Sequence, residues 1–213
     1  MTINNYSNFY KANTISFFTA IIITGFSIII GKNDLFLLLN KDLGNTGDFF
    51  FKYATYIGDG VVWAIFAIII LWKNRIKLPL TFAAIIISTL IAHYIKGHLL
   101  PINYRPVEAL PDYKNLIHRI AGVEINYGGS FPSGHTTQAF TMYFLLCILV
   151  NKKWIVIVGY LLALLVGYSR VYQAQHFPID IAGGIFVAMF TACICLWLQV
   201  KFEKKFYQKN NNN

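Results

Sequence analysis

Residues 169–180 read S-R-V-Y-Q-A-Q-H-F-P-I-D, and an apolar run over 179–200 follows. The stretch carries one arginine, one histidine and one carboxylate, with Asp180 four residues after His176 and Pro178 between them. Proline suits the first position of a helix, where it has no backbone N–H bond to lose, so the pattern predicts a helix beginning at Pro178. His176 then stands just outside that helix and Asp180 lies in its first turn, where the helix dipole favours an acid. From there the carboxylate reaches one imidazole nitrogen and leaves the other as a nucleophile or proton carrier. Arg170 adds a planar, permanently charged fork suited to phosphate or carboxylate oxygens. Taken alone, the stretch fits a loop held by a structural His–Asp contact equally well.

Of the 213 residues, 56% are hydrophobic and only 13% charged, which is too apolar for the surface of a soluble domain this size. A helix needs roughly 20 apolar residues to cross the hydrocarbon core. Six runs qualify as candidate spans: 15–30, 54–72, 78–95, 136–150, 154–168 and 179–200. In lipid every backbone polar group must be paired within its own segment, and the strict alternation of a membrane barrel is missing. The expected fold class is therefore all-α, a six-transmembrane-helix bundle formed by a single domain over 1–213.

The net charge of +9 suggests nucleic acid until its distribution is considered. With the N-terminus in the cytoplasm, the inner segments 1–13, 73–77, 151–153 and 201–213 hold ten lysines and arginines against Glu203 alone. The opposite side has eight cations and eight acids. All the net charge falls on one side, as the positive-inside rule requires, and both tails are cytoplasmic. No nucleic-acid partner is implied. Trp72, Trp154 and Trp197 fall near predicted helix ends, where indole anchors in the headgroup zone.

Cys147, Cys193 and Cys195 all lie in predicted spans and read as packing residues, with neither a disulfide framework nor metal-ligand spacing. Residues 28–33 show no small-residue cleavage site, so the first span is expected to be a retained anchor. The segment 32–52 is exterior, with 35–39 at the interface. Gly58-Asp59-Gly60 opens the main apolar part of the second span. Asp59 there is either a helix cap, the favoured reading, or a pocket-lining acid. In the longest exterior segment, 96–131, Asp112 is placed to cap a short interfacial helix with Tyr113, Leu116, Ile117 and Ile120 on one face and Gly122 ending it. A loop packed on the bundle fits that segment as well. His118 and Arg119 read as surface residues at headgroup level. The tail, which ends in four asparagines, is expected to be disordered.

Two further exterior clusters complete a constellation. Lys96 is followed by Arg105-Pro106, and a residue before proline prefers extended backbone, which holds Arg105 off a helix and toward a cleft. Pro132-Ser133-Gly134-His135 directly precedes the fourth span. Gly134 allows close approach of a ligand, and the free N–H groups of a helix N-terminus form an anion site. His135 beside it is suited to protonating a leaving oxygen. Three cations, two histidines and one orienting acid match a phosphate dianion and the charge spread over its oxygens during transfer. All of them lie at the exterior ends of spans whose orientation was fixed by other residues.

Lys96…Arg105-Pro106, Pro132-Ser133-Gly134-His135 and Ser169-Arg170-x5-His176-x3-Asp180 resemble the three-part signature of the type 2 phosphatidic acid phosphatase superfamily. That superfamily also includes bacterial acid phosphatases, glucose-6-phosphatase and vanadium haloperoxidases. The resemblance implies that His176 is the nucleophile forming a phosphohistidine, Asp180 its orienting partner, and His135 the general acid and then the base. It implies that Lys96, Arg105, Ser133, Gly134 and Arg170 hold the phosphate, and that no metal or other cofactor is needed. The first part departs from the pattern: eight residues separate Lys96 from Arg105 where six are usual, and His98 stands at the usual position. Lys96 is preferred, because phosphate favours a permanent, long-armed cation.

The expected protein is an integral membrane lipid phosphatase, with its site at the non-cytoplasmic ends of the helices, facing the periplasm or exterior of a bacterial inner membrane. Its expected partner is a phosphorylated membrane lipid: undecaprenyl diphosphate, phosphatidate or phosphatidylglycerol phosphate, with the phosphates of lipid A as the rival. A non-catalytic lipid-binding relative would be expected to lack His176 or His135. A haloperoxidase would be soluble, and a transporter would place its polar groups at the membrane midplane.

Overall fold

The apolar runs fold as helices in the computed structural model, which describes residues 6–74, 77–150 and 152–211 and has no strand among them. Arg75, one of the cations counted above, lies outside the described residues. The long helices are α1 (Ser7–Ile29), α4 (Gly60–Asn74), α5 (Leu78–Tyr94), α7 (Gly134–Leu149), α8 (Trp154–Tyr172) and α9 (Pro178–Asn211). Each contains one of the six expected runs or most of it. Among the described residues, four helices are long and apolar enough to cross a membrane: Ser7–Ile29, Leu78–Leu99, Trp154–Tyr172 and Pro178–Lys201. A fifth span results if the bent pair Gly44–Gly58 and Gly60–Trp72 is taken as one. This is an all-α integral membrane protein.

α7, with 16 residues, is at about 1.5 Å per residue too short to cross the core unaided. It is also the innermost helix: eleven of its residues are buried, including Phe140, Tyr143, Phe144 and Leu145, and it packs on both α8 and α9. A helix apolar on every side has no solvent face to offer and must be surrounded. α9 packs in turn against α1 and α5. The outer faces of α4 and α5 instead expose Ile65, Ile68, Phe82, Ile86 and Leu90. Such a surface would be an aggregation hazard in water and costs nothing in lipid.

Two expectations need correction, and one left open is decided. The second run, 54–72, is not one helix: a 3-10 turn, Thr55–Gly58, and an extended Asp59 separate α3 (Gly44–Ala54) from α4, with a bend of 48°. The segment 32–52, expected to lie outside the membrane, is helical, holding α2 (Lys32–Leu39) and most of α3. Of the two readings of 113–122, the loop packed on the bundle is the one observed: no α-helix forms, and a 3-10 turn, Pro111–Tyr113, gives way to irregular chain. The reason is a competing partner. The Asn40 side chain accepts from the His118 N–H at 2.8 Å and donates to the His118 carbonyl at 3.2 Å, replacing helical pairing. Ile117 and Ile120 are then buried against the bundle, not laid along an interface. Finally, α9 runs on to Asn211 through a tail expected to be disordered; residues 201–211 contain neither glycine nor proline to stop it.

The loop before α7 lies on α9 because α9 offers glycine there. A Cβ at Gly184 would stand 2.9 Å from the Ser133 carbonyl oxygen and 3.0 Å from Thr136 Cβ. Gly184→Val should therefore destabilise the protein by about 1–3 kcal/mol, the usual cost of overpacking, seen as a lower melting temperature in detergent. Gly25→Ala, with nothing within 4 Å of the new Cβ, should leave it unchanged or raise it.

Candidate active site

The stretch 169–180 forms the end of α8, a short loop and the start of α9. Arg170, in the last turn of α8, is 7% exposed. Its Nη1 donates to Thr55 Oγ1 at 2.9 Å and Gln173 Oε1 at 3.1 Å, while its buried Nε has no hydrogen-bond partner among the described residues. Ala174 turns the chain back with φ 55°, a left-handed conformation costly for a residue with a Cβ. Through that turn the N–H groups of Gln175 and His176 both donate to the Arg170 carbonyl, at 2.9 and 3.3 Å. The loop is thereby tied to the arginine whose charge it serves.

His176 is 1% exposed, with Nδ1 3.4 Å from Asp180 Oδ2. That is an ion-pair distance, longer than a good hydrogen bond. The same oxygen accepts from Ser130 Oγ and from the Phe177 N–H. Asp180 thus sits behind the ring as a fixed negative charge. Burial, and then the charges of Arg105, Arg170 and Lys96, hold His176 well below the ordinary imidazole value. The neutral ring is the favoured form.

Ser133 caps α7: its Oγ accepts from Thr136 N–H at 3.4 Å and Thr136 Oγ1 at 2.9 Å, and its N–H donates to the Asp180 carbonyl at 3.0 Å. It is fully buried as part of the helix start. Next to it, a Cβ on Gly134 would lie 4.0 Å from Lys96 Nζ, so the lysine reaches over the α7 N-terminus. The extra residues before Arg105 begin in one wide turn, Ile95–Leu99, closed by Leu100 N–H to the Ile95 carbonyl. His98 is exposed and stacks on Tyr94 at 5.0 Å. Lys96, not His98, is beside the site. Arg105 has the extended backbone its proline demands, φ −78° and ψ 164°. Its Nε donates to the Gly128 carbonyl at 3.0 Å and Nη1 to Gln175 Oε1 at 2.8 Å.

The eight residues singled out in the sequence lie in one region: Arg170, His176, Arg105 and Lys96 are close enough to His135 to act on its charge, Asp180 lies against His176 and Ser133, and Gly134 lies beneath Lys96. The cleft offers cationic and N–H donors for a tetrahedral anion and two imidazoles to act on it. His118 lies apart, 11% exposed, paired with Asp48 at 2.8 Å and near Asp42; it is neither in the cleft nor at the surface. Four contributors escaped the sequence reading: Ser130, Thr55, Gln173 and Gln175. Gln173 and Gln175 lie inside the third motif, between Arg170 and His176, and Ser130 shortly precedes the second; they carried a weak signal as polar residues in an apolar setting. Thr55 lies in a remote segment and carried none. Asp59, favoured as a cap, does begin α4, its carbonyl accepting from Val62 N–H at 3.1 Å. Its carboxylate, however, lies 3.1 Å from His135 Nε2.

The buried neutral His176 has a consequence for stability. Below pH 6.5 the unfolded chain protonates this histidine while the folded protein does not, so stability is lost as the pH falls. The slope from this one group is at most about 1.4 kcal/mol per pH unit. His176→Asn should flatten that part of the stability profile, measured by denaturation in detergent between pH 7 and pH 5.

The PAP2 superfamily model matches residues 80–204, which include every motif above. The bacitracin transport permease protein BcrC of Bacillus licheniformis is 31% identical over 132 residues, 62% of this chain and 60% of that protein. An undecaprenyl-diphosphatase of Sulfolobus acidocaldarius is 29% identical over 165 residues, 73% of this chain and 72% of that one. The crystal structure of Aquifex aeolicus LpxE superposes with a TM-score of 0.66 at 28% identity, covering 76% of this chain and 93% of that one. With its family match extending over more than half of its residues, the chain belongs to the PAP2 superfamily.

Proposed function

We propose that this protein is a lipid phosphatase that removes a phosphate or diphosphate from a membrane lipid through a phosphohistidine on His176. The observation that carries the reading is the pairing of two histidines across one cleft with Lys96, Arg105 and Arg170. Those three cations and the α7 N-terminus hold the phosphoryl oxygens and take up the charge that builds on them in transfer. The free ring nitrogen of His176 attacks phosphorus, the bond to the lipid oxygen breaks, and His135 gives that oxygen its proton. His135 then accepts a proton from water as it attacks the phosphohistidine, which releases inorganic phosphate and restores His176. The unpartnered Arg170 Nε is a donor that a bound phosphate would satisfy.

The lipid reading is supported by a groove of about 370 Å³ between α4, α5 and α7, walled by Trp63, Ala64, Ala67, Phe82 and Ile85. Gly60 and Gln138, at its polar end, adjoin Asp59 and His135. A leaving group protonated by His135 departs on that side, so its hydrocarbon chain enters this groove. The clustering of ionisable groups opposite the basic segments supports six crossings of the membrane with the site at the non-cytoplasmic ends. The Sulfolobus relative is named for undecaprenyl diphosphate, which makes that lipid the first substrate to try.

The test is phosphate release by the protein in detergent, with EDTA present, from undecaprenyl diphosphate, phosphatidate, phosphatidylglycerol phosphate and lipid A. Release from at least one is expected, falling to background in His176→Ala. No release from any of them by folded protein overturns the reading. Ala67→Trp, which fills the groove, should raise KM for long-chain substrates at least about tenfold and leave p-nitrophenyl phosphate hydrolysis unchanged; equal effects on both would remove the groove from the account.

A further inference from the structure

The second histidine stands in a setting hostile to the proton it has to carry. His135 precedes the apolar run of α7. Its burial, together with the charges of Arg170, His176, Arg105 and Lys96, disfavours imidazolium. Asp180, the other acid of the cleft, is taken up by Ser130 and the Phe177 N–H on the far side of His176. The acid that does face His135 is Asp59, with Oδ1 3.1 Å from Nε2.

Asp59 is held there by the break between α3 and α4. Its own backbone is extended, φ −91° and ψ 161°, which turns it out of the helical path between the 3-10 turn and Gly60. A Cβ on Gly58 would stand 2.9 Å from the His135 carbonyl oxygen and 2.8 Å from Val166, so only glycine lets this segment come so close. The chain therefore brings a carboxylate, from a segment remote in sequence, against one specific imidazole nitrogen.

We infer that Asp59 is the positioning residue of His135, fixing its ring and supplying the negative charge that lets it hold the proton for the leaving group. This makes two His–carboxylate pairs of opposite purpose in one cleft. Asp180 lies behind a histidine kept neutral for attack; Asp59 faces a histidine that must be charged to donate. The inference rests on the phosphatase reading, in which His135 is the general acid.

Asp59→Asn keeps the shape and removes the charge. General acid catalysis contributes about 10²–10⁴-fold, and its loss is felt where the departing oxygen is basic. For Asp59→Asn, kcat/KM on an alkyl or lipid phosphate should fall about 10–100-fold. With p-nitrophenyl phosphate, whose phenolate leaves unaided, it should fall less than about threefold. The basic limb of the kcat/KM profile on the lipid should move to lower pH, Asp59→Glu should restore part of the rate, and Asp59→Asn should add nothing in a His135→Ala background. Equal losses on both substrates, or losses that multiply with His135→Ala, overturn the proposal and leave Asp59 a merely structural residue. The His135 imidazole titration, followed by NMR in histidine-labelled protein, needs no turnover. It should shift to lower pH in Asp59→Asn, and an unmoved titration refutes the assignment even if the wild type hydrolyses none of the lipids tried.

Discussion

One carboxylate and its peptide hold three parts of the site in register. Asp180 Oδ2 accepts from Ser130 Oγ, in the loop before α7, and from the Phe177 N–H, beside His176. Its backbone carbonyl accepts from the Ser133 N–H, fixing the start of α7 on the start of α9. The starts of α7 and α9 are consequently held together. A displacement of α9 would move His176, the start of α7 and the ring's negative partner together. Gly184 has the same purpose, since a side chain there would collide with the Ser133 carbonyl.

Gathering three cations beside two histidines in a largely dehydrated cleft is costly unless each is given acceptors. The protein does this with neutral groups. Thr55 and Gln173 take Arg170, while Gln175 and the Gly128 carbonyl take Arg105. Neutral acceptors orient the guanidinium groups without cancelling their charge, which stays available for an anion. Carboxylate partners would have produced stable salt bridges and a weak phosphate site. The two acids that do enter the cleft face the imidazoles instead.

What could be read from the sequence was whatever is set locally. Hydropathy places the helices because unpaired backbone is intolerable in lipid, and the Pro178 start follows from one residue's missing N–H. The motifs identify the cleft because phosphate chemistry needs particular groups at short spacings. What escaped was decided at long range. The Asn40 side chain pairs with the backbone of His118, 78 residues away, and so prevents the amphipathic pattern of 113–122 from becoming a helix. Ser130 has a meaning only once α9 lies beside it. The period of 54–72 is that of one helix; that it breaks at Asp59 depends on how closely Gly58 can approach α7 and α8.

That break links the membrane to the chemistry. An unbroken second span would carry Asp59 on a helical path and pack α4 more evenly along the bundle. As folded, the 48° bend sends α3 outward over the end of α8, where Phe51 stacks on Tyr172 at 4.5 Å. It leaves α4 diverging along α5, with the apolar groove between them. The groove, the carboxylate on His135 and the Thr55 hydroxyl on Arg170 all come from the same few residues around the bend. On the proposed reading, a hydrocarbon chain against Trp63 and Ala67 would lie beside the same segment that presents Asp59 to His135 and Thr55 to Arg170. That arrangement is one by which binding energy from a remote chain can be spent on orientation at phosphorus.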